Sequence, residues 1–237
     1  EYAPKSKIRD LFIKVYEELY GRKPTVATIH AGLECGALGK KLKDLGIRED
    51  LDTGLTTFNV KSPVFPFSKF PGVDTLLGPE MKSTGEVMGR GRNFASAYAK
   101  AMTAAGMRLP TSGNVFFSIR NEDKAEALSI ARGLQELGFK ISATVGTAKF
   151  LNSHFLTVTE VKKATEGSPN CVEQIRAGYY DLVINTASDY RAIKDSFQIR
   201  RATLEGKIPY ANVIASARAI LQAVREEKRG PLEILPL

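Results

Sequence analysis

Two threonines flank a glycine at Thr144, Gly146 and Thr147, where an apolar run, Phe139 to Ala143, gives way to a helical pattern. Hydroxyls at a glycine-containing strand-to-helix turn, with the first amides of the new helix, donate hydrogen bonds, and an anionic group such as phosphate fits there. Lysines in other connecting segments, Lys124, Lys162 and Lys163, could neutralise its charge. Further polar residues fall at corresponding points: Ser118 and Arg120 after one apolar run, Gly167 in a later loop, and Asn185, Thr186 and Ser188 after another run. The same residue types also serve as plain helix caps and solvated surface. On the residues alone, an anion cradle and a set of ordinary capped turns both stay open.

Other chemistries are poorly supplied. There are two histidines, His30 and His154, and two cysteines, Cys35 and Cys171. They form neither a disulfide framework nor a Cys/His cluster with zinc spacing. Nothing resembles a catalytic triad or a Walker-type phosphate loop, so no catalytic residue and no metal ligand is expected. His154 is expected at the surface or at the core boundary. The net charge of +8 favours anionic partners without separating nucleic acids from phosphorylated small molecules. Lys and Arg are spread along the chain without aromatic interleaving, which argues against nucleic acid. No apolar stretch approaches the length of a membrane span, and no membrane partner is expected. The charged start, Glu1 to Asp10, has no signal-peptide core behind it, so a cytoplasmic, reducing compartment is expected. With 43% hydrophobic and 25% charged residues over 237 positions, a globular chain of one or two domains is expected rather than a disordered one.

The elements that would position the anion candidates can be read from periodicity. After Pro110 to Gly113, which read as a boundary, five short apolar runs alternate with helical patterns: Asn114 to Ile119, Phe139 to Ala143, Phe155 to Val158, Asp181 to Asn185, and Ile208 to Ile214. The clearest helix between them is Glu122 to Leu137, with Ala127, Ile130, Ala131 and Leu134 on one face and Gly138 as its stop. A last helix spans about Ala215 to Glu227. Alternating strand and helix predicts a Rossmann-like parallel five-stranded sheet with helices on both faces, and ligands in such sheets bind beyond the carboxyl ends of the strands. Upstream, a smaller mixed α/β segment is predicted: helices over 5–20, 38–45 and 93–105, strands at 25–29 and within 56–67, and an irregular stretch over 68–90.

The segment VKSPVFPFSKFPGVDTLLGPEMKSTGEVMG (60–89) strongly resembles the end of the second synthetase unit in the large subunit of carbamoyl phosphate synthase. The following residues, with ATVGT (143–147), DLVINT (181–186) and RAIKDSFQIRR (191–201), resemble the regulatory domain of that subunit, whose fold is shared with methylglyoxal synthase. The resemblance covers roughly residues 37 to 226. It implies three parts: a head over 1–36, the tail of an ATP-grasp synthetase unit over 37–110, and a methylglyoxal synthase-like regulatory domain over 111–237. It also implies an allosteric site for a nucleotide monophosphate such as UMP or IMP. The phosphate-binding positions of the family fall on Lys124, Thr144, Thr147 and Lys163, and Ser118 and Asn185 match the rest of the nucleotide pocket. The parent enzyme is an ATP-dependent ligase of pyrimidine and arginine biosynthesis that uses Mg or Mn and associates with a glutaminase small subunit. Its catalytic units have no counterpart in this sequence, so no cofactor and no synthetase activity are expected of this chain alone. A relay through the 68–90 loop, with Glu80, Lys82, Ser83, Thr84 and Glu86, is expected to link effector to synthetase.

Three departures bear on the effector. Ala187 stands where bacterial relatives carry a second threonine. Ser62 replaces a glutamate found in ornithine-responsive relatives, and Asn212 replaces a threonine two residues after Tyr210, so ornithine activation is not expected. The sequence has no tryptophan, which speaks against the acetylglutamate-responsive form. A second resemblance covers the start: residues 5–36, with HAGLECG at 30–36, resemble a segment of aminoacyl-histidine dipeptidase. Only His30 and Glu34 of a dinuclear metal centre are present, so no peptidase site is expected. A methylglyoxal synthase-type lyase is the other alternative. The loop KKATEG (162–167) lacks the Gly-Gly-Asp type segment that chemistry needs, and phosphate release from dihydroxyacetone phosphate would revive the idea.

Overall fold

The computed structural model describes residues 57–65, 85–187 and 196–233, together with positions 17 and 21. The chain divides into two compact units, Glu1–Thr53 and Gly54–Leu237, and every element below belongs to the second. Apart from positions 17 and 21, the head, the elements expected at 5–20, 25–29 and 38–45, and the relay residues at 80–84 lie outside the described residues.

The second unit opens with an antiparallel ribbon, β1 (Phe58–Val64) and β2 (Gly85–Gly91), in the register Val60↔Gly89 and Ser62↔Val87. Helix α1 (Phe94–Ala104) lies against it. Asn93 starts this helix, its side chain accepting the Ser96 N–H at 2.8 Å. Its buried residues are small, Ser96, Ala97, Ala99 and Ala101, which lets the backbones come close. A Cβ added at Gly89 would lie 2.0 Å from the Ala97 carbonyl oxygen and 2.5 Å from the Ala101 nitrogen. That contact explains a correction. Residues 85–90 belong to a strand and not to the irregular stretch expected there. Its glycines read as a loop, but Gly89 and Gly91 are small because a helix backbone sits on them.

The remainder is the parallel sheet. Its strands are β3 (Asn114–Ser118), β4 (Lys140–Thr144), β5 (Val158–Val161), β6 (Leu182–Asn185) and β7 (Tyr210–Ala211), in the order β5-β4-β3-β6-β7. All neighbouring pairs are parallel. The helices are α2 (Lys124–Glu136), α3 (Val145–Ser153), α4 (Cys171–Arg176), α5 (Phe197–Glu205) and α6 (Ile214–Arg229). Strand alternation divides the core. Val115, Phe117, Leu182 and Ile184 pack with α2, α3 and α6 on one face, while Phe116 and Val183 pack with α4 and α5 on the other. The expected fold, a five-stranded parallel sheet with helices on both faces, is the observed one.

Two strand boundaries differ from expectation. β5 begins at Val158 rather than Phe155, because 154–156 close the end of α3. The Leu156 N–H reaches the Leu151 carbonyl at 3.2 Å, and Phe155 takes a positive φ of 63° in that turn. β7 keeps only Tyr210–Ala211 of the run 208–214, since Val213 caps α6 and Ile214 starts it.

Candidate functional site

Three parallel strands end side by side, and their carboxyl ends open into a cavity of about 470 Å³. The register places Ser118 of β3 directly opposite Asn185 of β6. Thr144 ends β4, and Gly146 and Thr147 lie in the first turn of α3. Lys124 begins α2 after a single 3-10 turn, Asn121–Asp123, and Lys163 comes from the loop after β5. All of these residues line the cavity, as do Arg120 and Thr186. Of the other sequence candidates, Lys162 is turned into a bridge with Asn170, Gly167 is not part of the lining, and Ser188 lies outside the described residues.

The hydrogen bonds assign different work to the two threonines. The Thr147 hydroxyl accepts the Ile119 N–H at 3.2 Å and the Thr144 hydroxyl proton at 3.3 Å, and it lies 3.5 Å from the Ile119 carbonyl. It is buried and ties the end of β3 to α3. Thr144 makes no side-chain cap, so the first amides of α3 keep their donors for another acceptor. Thr186 likewise braces the wall, accepting the Arg120 N–H at 3.1 Å.

The charges are also arranged unevenly. Asp123, buried at the start of α2, takes the Arg120 guanidinium in two bonds of 2.6 and 3.1 Å. This hydrogen bonding, with the attraction of the same carboxylate, raises the Arg120 pKa above its ordinary value. Lys124 rests with its ammonium 5.8 Å from the centre of the Phe150 ring. The Phe150 ring also meets that of His154, tilted by 42° with centroids 4.4 Å apart, and His154 is half-buried at the end of α3, as expected of a boundary residue. Asn185 is the anomaly. It is 4% exposed, and neither its amide nitrogen nor its amide oxygen has a hydrogen-bond partner among the described residues. A buried side-chain amide left empty costs about 1–3 kcal/mol. This one lines the cavity, where a ligand could satisfy both atoms.

Sequence reasoning missed several lining residues: Glu122, Thr165, Glu166, Ser196 and Ile199. Glu166 could have been suspected from its place in KKATEG, but only the turn geometry shows that it returns to Lys163. Among the described residues, no group of three or more His, Cys, Asp or Glu could hold a metal. No helix there is long and apolar enough to cross a membrane.

A second cavity, about 420 Å³, lies between α1 and the β7 edge. It is lined by Tyr98, Met102, Met107, Leu204, Ile208 and Tyr210, with Ser62 and Asn212 among its polar residues. Lys207 is its single charged residue among those described.

Comparison with known proteins agrees with the fold. Residues 126–212 match the model of the MGS-like domain family. The chain therefore carries an MGS-like domain, built as the helix-covered parallel sheet whose strand ends form the polar cavity. Over most of its length it is similar to the C-terminal region of the carbamoyl phosphate synthase large chain. It is 49% identical over 178 residues to that of Rhizobium meliloti, a match covering 75% of this chain and 15% of the relative. Identity is 46% over 200 residues with the protein of Methanoculleus marisnigri, covering 84% and 19% of the two chains. With that of Myxococcus xanthus it is 44% over 200 residues, covering 84% and 18%. The chain thus spans less than a fifth of the length of these relatives.

Proposed function

We propose that this chain is the effector-binding regulatory portion of a carbamoyl phosphate synthase large subunit. A nucleotide monophosphate, UMP- or IMP-like, docks its phosphate on Lys124, Lys163, Thr144 and the first turn of α3 at Thr147. Ser118 and Asn185 meet the rest of the nucleotide. The observation that carries this reading is Asn185, a buried amide with both atoms unsatisfied on the wall of a cavity that also holds two lysines and an uncapped helix start. The phosphate takes Lys124 and Lys163 as counter-charges and the α3 amides as donors. The ligand acts by binding one arrangement of the full subunit better than another.

In this reading the three parts are the head over 1–36, the synthetase tail over 37–110 and the regulatory domain over 111–237. The chain has no cofactor and no chemistry of its own. ATP and Mg or Mn belong to the synthetase units, which with the glutaminase small subunit make carbamoyl phosphate in the cytoplasm for pyrimidine and arginine synthesis. Ornithine is not the second effector, because the cavity beside Ser62, Tyr210 and Asn212 offers an ammonium no carboxylate among its described residues.

Calorimetric titration of the 237-residue chain with UMP and IMP tests the reading. Binding to wild type and a loss of more than ~10-fold in Lys163→Ala are expected. A wild-type chain that binds neither nucleotide overturns it.

A further inference from the structure

The charges around the polar cavity single out a residue with no part in the phosphate cradle. Three cations, Arg120, Lys124 and Lys163, and two carboxylates, Glu122 and Glu166, line the cavity among the described residues. Arg120 is committed to buried Asp123, and drawing it away would leave an unpaired carboxylate in the wall. Glu122 is itself paired with Arg120, its carboxylate 4.0 Å from the guanidinium. The charges a ligand meets are therefore Lys124, Lys163 and Glu166.

Glu166 closes a four-residue turn in two ways. Its N–H donates to the Lys163 carbonyl at 3.0 Å, and its Oε2 accepts the Lys163 N–H at 2.8 Å. One residue thus fixes the backbone that carries Lys163 and places a negative charge beside it. The other carboxylate oxygen, Oε1, has no hydrogen-bond partner among the described residues.

We propose that Glu166 is a specificity-determining residue of this site. Its free oxygen accepts a hydrogen bond from a hydroxyl that the ligand carries near its phosphate. Its charge acts against anions that offer only acceptors. The site then prefers phosphate monoesters of polyhydroxylated compounds, such as a ribose phosphate, over sulfate, a dianion of similar charge that carries no hydroxyl. A plain cluster of lysines would make no such distinction, because Coulomb attraction does not depend on what surrounds the phosphate.

The inference rests on the effector reading, and the test separates the two. Ribose 5-phosphate and sulfate are titrated into the full 237-residue chain and into Glu166→Gln, at one ionic strength. Gln keeps an acceptor for the Lys163 N–H, so the turn survives while the charge goes. Wild type is expected to prefer ribose 5-phosphate by ~10-fold or more. Glu166→Gln is expected to bind sulfate ~3- to 10-fold more tightly. Its affinity for ribose 5-phosphate stays within ~2-fold, because the relieved repulsion is offset by a weaker acceptor. The ratio of the two affinities is the readout, and a purely structural role for Glu166 would leave it unmoved. An equal change for both ligands, or no change in either, overturns the specificity role. A wild-type chain that binds both without preference also overturns it and leaves the effector reading standing. A wild-type chain that binds neither overturns the effector reading itself.

Discussion

Two cavities among the described residues have similar volumes, about 470 and 420 Å³, and different chemistry. The first is made where parallel strands stop. Its walls carry backbone amides, hydroxyls, lysines and a buried amide with nothing to bond. The second is made where α1 approaches the β7 edge, and aromatic, Met and Leu side chains line most of it. Strand ends in a parallel sheet leave polar groups facing outward, whereas a gap between packed layers inherits the apolar character of the layers. The contrast is one of demand. An empty apolar gap leaves few polar groups unsatisfied, while an empty polar site carries the cost of Asn185.

The largest effect that would sharpen this contrast lies beneath the second cavity. Gly89→Ala drives a methyl group into the α1 backbone and is expected to cost about 3 kcal/mol or more, seen as a lower urea midpoint. Nucleotide affinity of the molecules that remain folded is expected to match wild type. A parallel loss of affinity would mean that the two regions are one energetic unit.

Alkali should act on the sheet face that carries α4 and α5. Burial pushes the Cys171 thiol up to about 11 and the Tyr180 phenol up to about 12. Both groups hold their protons more tightly folded than unfolded. Their stabilisation is therefore complete below the ordinary thiol value near 9 and is lost as the pH rises through 11 and 12. A loss on the order of 2 kcal/mol for each group is expected between pH 9 and 12, measured by urea unfolding at stepped pH. Cys171→Ala should delay the onset. An identical profile in that variant would contradict this cause.

Asn185→Leu separates stability from function. Replacing an unsatisfied amide by an apolar side chain of similar size is expected to raise stability by about 1–2 kcal/mol while nucleotide binding is lost. A variant that is less stable and still binds would show that Asn185 is a structural residue and would break the contrast between the cavities.

The smallest effect is at the chain's far end. Glu233 accepts two bonds from Arg92, at 2.7 and 2.9 Å, and this hydrogen bonding holds its carboxyl below the usual range. The pair is exposed, so the depressed group adds stability only above its ordinary pKa and loses it as the pH falls. Glu233→Ala is expected to shift the urea midpoint far less than Gly89→Ala, with no shift left at high salt. A large, salt-independent shift would show that the tail clamps α1.

Most of the sheet was legible in the sequence because parallel strands covered on both faces leave short apolar runs between helical patterns. Phe116 and Phe117 face opposite sides of one strand, yet both read simply as core. β2 was not legible, since glycines selected for a close helix contact look like loop residues. The start of β5 was misread because Phe155 is apolar yet 99% exposed in a helix-ending turn. At the polar cavity, the strand-end rule gathered Ser118, Thr144, Thr147 and Asn185. It could not show that the Thr147 hydroxyl is used inside the wall, that Arg120 is held by Asp123, or that Glu166 returns to Lys163. Those facts depend on which way side chains turn after a loop, and spacing along a sequence does not record that.

The most direct test is the side-chain NH₂ resonance of Asn185, followed by NMR as UMP is titrated into the 237-residue chain. The expected result is a saturable shift of this resonance, together with the backbone amides of Gly146 and Thr147, while the amides of Tyr98 and Met102 stay in place. Shifts confined to Tyr98, Met102 and Tyr210, or no shift at any nucleotide concentration, would contradict the assignment of the polar cavity as the effector site.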